Sequence, residues 1–120
     1  MPTANEHAIR VAPSPKRLRA SIGGRVVADT DRALTLFEGC YPGVHYVPLA
    51  DVDRTALRRS THKTRCPYKG EASYYSIVFA GGIAENAIWT YENPLPAAAK
   101  IAGYLAFDTT RVDLIESVKV

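Results

Sequence analysis

The sequence predicts a small α+β fold that is mainly antiparallel β, and three observations carry that expectation. Two Gly-Gly pairs, Gly23-Gly24 and Gly81-Gly82, each stand between alternating runs, in "LRASIGGRVVAD" and "SYYSIVFAGGIAENAIWTY". Gly-Gly supplies the positive φ angles of a tight hairpin. The stretches "RALTLFE" and "VHYVPL" read as further strands. Helical signals are confined to two short places: "ADVDRTALRR", with Asp51 and Asp53 ahead of basic residues, and the segment after Pro96 in "NPLPAAAKIAGYLAF".

In chain order, residues 1–17 are polar, punctuated by proline and without period, which predicts a loose arm with ordered structure from Leu18. Residues 18–120 then form one domain. "CPYKG" reads as a turn, with Pro67 presetting its second position and Gly70 free to take a positive φ. Pro67 also disfavours helix at Cys66, so the segment before it is expected to be extended. A strand follows the Pro96 helix and ends at Phe107, while "RVDLIESV" fits a strand or a helix.

A chain of 120 residues, 47% hydrophobic and 22% charged, has the size and composition of one globular domain rather than of a disordered segment. No run approaches the ~18 apolar residues of a membrane span, and the start lacks the apolar stretch of a secretory signal. A cytoplasmic protein with no membrane partner is the expectation. Cys40 and Cys66 are then expected as free thiols. The net charge of +3 is concentrated in "RRSTHKTRCPYK". Such a cluster attracts phosphates or carboxylates, or else is a solvated basic turn; nucleic acid is not the expected partner.

If Gly81-Gly82 is a two-residue turn, Ala80 pairs with Ile83, Val78 with Glu85, Ser76 with Ala87, Tyr74 with Trp89 and Ala72 with Tyr91. Those residues share one face of the sheet, and Tyr75, Ile77, Phe79, Ala84 and Ile88 share the other, which reads as core. With Cys66 opposite Gly70, His62 falls opposite Tyr74 and joins Thr64 and Cys66 on the aromatic side. Along a strand His62 and Cys66 lie ~13 Å apart at ~3.3 Å per residue, too far for a base and its nucleophile. Lys69 is the better neighbour of Cys66, because turn ends approach within ~7 Å and an ammonium lowers a thiol's pKa. Alternatively Cys66 is a small buried thiol packed behind the turn. Cys40, His45, His62 and Cys66 add up to a Cys2His2 set but lack the C-x2-C knuckle, so no metal is expected. Gly-rich phosphate loops, nucleophile elbows and H-E-x-x-H are absent.

The motifs "HKTRCPYKGEASYYS", "AENAIWTYENPLP" and "IAGYLAFDTTRVD" resemble the bacterial and fungal domain-of-unknown-function family 427, over nearly all of Leu18 to Glu116. The resemblance implies a β-tent, in which sheets lean together at an edge, and no established activity. His62, Thr64, Cys66, Lys69, Tyr74, Glu85, Trp89 and Tyr91 match the family's pattern. Cys40 and His45 lie in a stretch the family fills variably, and Asp108 stands where an aromatic is common. Relatives often carry two copies of the domain, which implies a homodimer for a single-copy chain.

The leading functional expectation is binding of a small polar or anionic molecule, without a cofactor. Tyr74, Trp89 and Tyr91 would be the stacking walls, Arg65 and Lys69 would supply charge, and His62 and Glu85 would orient the ligand. The alternatives are a small enzyme, with Cys66 as nucleophile or His62 and Glu85 as an acid-base pair, and a non-catalytic interaction module using the basic face.

Overall fold

A computed structural model describes residues 8–119. Ten strands follow the alternating stretches: β1 (Ile9–Pro13), β2 (Lys16–Ile22), β3 (Arg25–Thr30), β4 (Leu34–Glu38), β5 (Val44–Tyr46), β6 (Leu57–Cys66), β7 (Gly70–Phe79), β8 (Gly82–Thr90), β9 (Leu105–Phe107) and β10 (Asp113–Val118). "RVDLIESV" is thus a strand. The helical stretches are three short 3-10 segments, Leu49–Asp51, Arg54–Ala56 and Pro96–Ile101. Asp53 caps the second by accepting the Thr55 N–H at 3.0 Å. Pro96 opens the third, where a missing N–H is no loss.

The strands form three antiparallel sheets, ordered β1-β4-β5, β10-β2-β3 and β6-β7-β8-β9. The four-stranded sheet presents a different core on each face. Ile77 and Ile88 point toward Ala20, Ile22 and Val27 of the β10-β2-β3 sheet. Ala72 and Ala106 point toward Leu36 and Tyr46 of the β1-β4-β5 sheet. Period-two alternation therefore serves two cores at once. Val47 and Leu105 exchange two backbone hydrogen bonds of 2.8 Å, joining the β5 end of one sheet to β9 of another along one edge.

β1 corrects the expectation of a loose arm up to Leu18. Ile9 pairs with Glu38 and Pro13 with Leu34, and β2 already begins at Lys16. Ile9 and Val11 pack against the core beneath β4. Five residues ending in proline give little local signal, and Pro13 is tolerated because β1 is an edge strand. Residues 1–7 of the expected arm lie outside the described residues.

Gly23 and Gly24 form the expected two-residue turn, with φ of +54° and +82° and Ile22 paired to Arg25. The second hairpin differs. Its turn is Ala80-Gly81, with Phe79 paired to Gly82 and Val78 to Ile83. The Phe79 ring lies over both turns, so that a Cβ on Gly23 or Gly81 would come within 2.5 or 2.6 Å of its carbons.

Two bulges then set the register. Glu85, Asn86 and Ala87 stand against Ser76 alone, and beyond them Tyr75–Ile88, Tyr74–Trp89 and Ser73–Thr90 pair as the sequence predicts. The expected pairs Val78–Glu85 and Ser76–Ala87 are not formed, and Ala87 turns into the first core. Asn86 adopts φ +55°, and its N–H donates to Ser76 Oγ at 3.0 Å. On the other edge of β7, pairing runs from Cys66–Gly70 to Lys63–Ser73. Ser60, Thr61 and His62 then bulge out against Tyr74 before Arg59 meets Tyr75.

Candidate functional site

The β7–β8 pairing brings Tyr74 and Trp89 side by side on the face turned toward β4 and β5. There they border a cleft of about 500 Å3 between the two sheets. Tyr91 and Tyr46, both nearly buried, lie at its base, and Leu36 and Val44 line the β4–β5 side. Tyr41 and Pro42 form the lip in the loop after β4, where Tyr41 is 61% exposed.

Aromatic positions in the cleft are held from behind by hydrogen bonds. Trp89 Nε1–H donates to Tyr46 Oη at 3.2 Å, which ties the indole to β5. Thr64 Oγ1 and Tyr74 Oη share a hydrogen bond of 2.9 Å, and the His62 ring lies 4.6 Å from the Tyr74 ring. Burial pushes the phenols of Tyr46 and Tyr91 up to about 12, with the nearby Cys66 adding to the effect at Tyr91. Both hydroxyls therefore remain protonated at neutral pH.

Among the described residues, one charged pair sits in this cleft. Lys69, from the β6–β7 turn, meets Glu38, the last residue of β4, at 2.5 Å, with the two side chains only 15% and 18% exposed. Burial works against the Lys69 charge, but its hydrogen bond to Glu38 and the nearby Cys66 outweigh that and raise its pKa. Lys69 is an ammonium throughout the neutral range.

Four expected binding residues, Lys69, Tyr74, Trp89 and Tyr91, line the cleft together. Arg65 does not; it lies on the exposed part of β6 opposite Glu71. His62 reaches the Tyr74 ring but not the cleft lining. Glu85 is exposed in the β8 bulge, where its carbonyl accepts from Arg111. Because β6 and β8 flank β7 at roughly 4.8 Å spacing, the backbones of His62 and Glu85 lie about 10 Å apart or more. The two residues stand in separate bulges, one in β6 and one in β8, on either side of β7. Cys66 is partly buried and packs against the second core, while the Lys69 charge beside it is engaged by Glu38.

The basic stretch is largely matched in place. Arg59 forms two hydrogen bonds to Glu92, at 2.7 and 3.0 Å, and Lys63 donates to Ser73 at 2.9 Å. Arg58 donates to the carbonyls of Thr55 and Leu57. His45, a member of the weighed Cys2His2 set, contacts Thr35 and Glu116 at 2.9 and 2.8 Å. Among the described residues no three His, Cys, Asp or Glu side chains are grouped to hold a metal.

A comparison with protein-family models matches residues 10–118 to the family described as Domain of unknown function (DUF427). The chain belongs to this family. A search of the curated proteins finds no match. The DUF427 match begins within β1 and ends with β10, so it includes every cleft residue. The sequence alone misses Leu36, Glu38, Tyr41, Pro42, Val44 and Tyr46, which supply the other side of the cleft. The crowding of two tyrosines and a glutamate in "FEGCYPGVHY" is the signal that marks this loop.

Proposed function

We propose that this DUF427 domain binds a small polar molecule with a planar or apolar body in the cleft between β4–β5 and β7–β8. One observation carries the reading: five aromatic residues surround a half-open space that Lys69 and Glu38 also line. Small-molecule sites are commonly concave and mostly apolar, with a few polar groups that fix orientation. Trp89 and Tyr74 offer faces for stacking, and Lys69 and Glu38 offer a donor and an acceptor.

A screen of small metabolites by thermal shift tests this reading, because a ligand that binds only the folded state raises Tm. At least one compound should raise the Tm of the wild type and fail to do so for Trp89→Ala. Tyr41→Ala serves as a second variant, since a lip residue so exposed contributes little to the fold. The binding role is excluded if no compound shifts the wild type, or if every active compound shifts both variants equally.

A further inference from the structure

The two tyrosines at the base of the cleft differ in what their hydroxyls do. Tyr46 Oη accepts the Trp89 N–H, whereas among the described residues Tyr91 Oη has no hydrogen-bond partner. Tyr91 is only 6% exposed, yet no side-chain oxygen or nitrogen among the described residues is both sealed from solvent and unpartnered. The small exposure that Tyr91 keeps therefore includes its hydroxyl, and the cleft is the space that Tyr91 lines. Burial pushes its pKa up to about 12, so the oxygen carries its proton at neutral pH.

In the open cleft, solvent can satisfy that O–H. A molecule that fills the cleft covers it, and a covered donor left without an acceptor costs about ten- to a hundredfold in affinity. A well-matched ligand therefore brings the acceptor with it. An uncharged oxygen serves best, because moving a carboxylate out of water costs far more than moving a carbonyl. Tyr91 follows Trp89 by two residues, so the two side chains leave one face of the chain about 7 Å apart. A flat ring lying on the Trp89 indole would meet Tyr91 with its edge, and a ring carbonyl accepts in that same plane.

We propose that Tyr91 selects the ligand by donating its O–H to a carbonyl oxygen on a flat ring, and that the cleft discriminates against the same ring without that oxygen. The ligand class is that of an uncharged planar molecule with a ring carbonyl, a cyclic ketone or lactam, and the proposal rests on the binding role proposed above. Tyr91 then acts through its hydroxyl, while Trp89 and Tyr74 hold the ring.

The test titrates 1-indanone and indane, one skeleton with and without a carbonyl, calorimetrically into the full chain and into Tyr91→Phe. Wild type should bind 1-indanone at least about tenfold more tightly than indane. Tyr91→Phe removes one oxygen and keeps the ring, so it should hold the wild-type Tm and bring the two affinities within about twofold of each other. A large fall in Tm would show that the hydroxyl is bonded within the fold, and it overturns the proposal. Equal binding of the two probes by wild type, a preference that survives in Tyr91→Phe, or loss of both probes together in that variant also overturns it and leaves the binding role standing. If neither probe binds wild type, the ligands from the metabolite screen take their place. Each should carry a carbonyl oxygen and lose at least about tenfold in Tyr91→Phe, and one that keeps its affinity overturns this proposal alone. If neither probes nor screen give binding, both ideas fall.

Discussion

At the scale of single residues, the two thiols separate what a motif implies from what its surroundings permit. Cys66 stands beside Lys69, the pairing expected of an activated cysteine. In the folded chain that lysine is held by Glu38, and the sulfur packs against the core of Ala72 and Tyr91. Cys40, in the loop after β4, is exposed. Thiol reactivity depends on access as well as on thiolate content. Maleimide labelling followed by mass spectrometry should therefore modify Cys40 first at neutral pH. Cys66 should follow at least about tenfold more slowly, at a rate limited by local opening. Equal rates would show that Cys66 is open to solvent and would restore the nucleophile to consideration.

Among the elements, β7 governs the site because each of its two neighbours carries a bulge that re-aims the chain. The β8 bulge turns Ala87 into one core and Trp89 into the cleft. The β6 bulge lets His62 reach over Tyr74. Asn86 makes the first bulge possible, since asparagine tolerates the left-handed region that β-branched residues avoid. Asn86→Gly should leave stability within about 0.5 kcal/mol, whereas Asn86→Val should cost about 1–2 kcal/mol. Urea denaturation measures both. If Val and Gly behave alike, the bulge does not depend on this backbone conformation, and Trp89 is aimed by other contacts.

For the whole molecule, the cleft exists because one sheet is covered on both faces by others. Tyr46 and Trp89 link two of them across the second core. The buried phenols give that junction a dependence on alkaline pH. Burial is the main cause of the rise at Tyr46 and Tyr91, from 10 to about 12 in the folded state. Between those values the unfolded chain has released the proton that the folded chain still holds. Stability is therefore whole below pH 10 and falls as pH climbs toward 12, by roughly 2–3 kcal/mol for each tyrosine. Urea midpoints measured from pH 8 to 11.5 should show the decline, and Tyr46→Phe should make it shallower. The same variant should start about 1–3 kcal/mol lower at pH 8, because the Trp89 N–H loses its acceptor. An unchanged slope in Tyr46→Phe would mean that Tyr46 is not buried when folded.

What the sequence by itself determined is what neighbouring residues decide between them. Alternation set the strands and the two faces of β7, and Cys66–Gly70 set the base of the β6–β7 hairpin. Tyr74 opposite Trp89 followed from counting along one hairpin, although the count worked only because the Asn86 bulge absorbs the residues freed by the shifted turn. Tyr74 and Trp89 were legible as neighbours lining one face for that reason. Only the tertiary structure decided the far side of the cleft, since Glu38 and Lys69 are 31 residues apart and Tyr46 and Trp89 are 43 apart. It also decided that Phe79 requires bare glycines in two different turns, and that Arg65 and Glu85 face away. Which sheet covers which face depends on the fit of apolar surfaces from distant segments, and no local pattern of side chains encodes that fit.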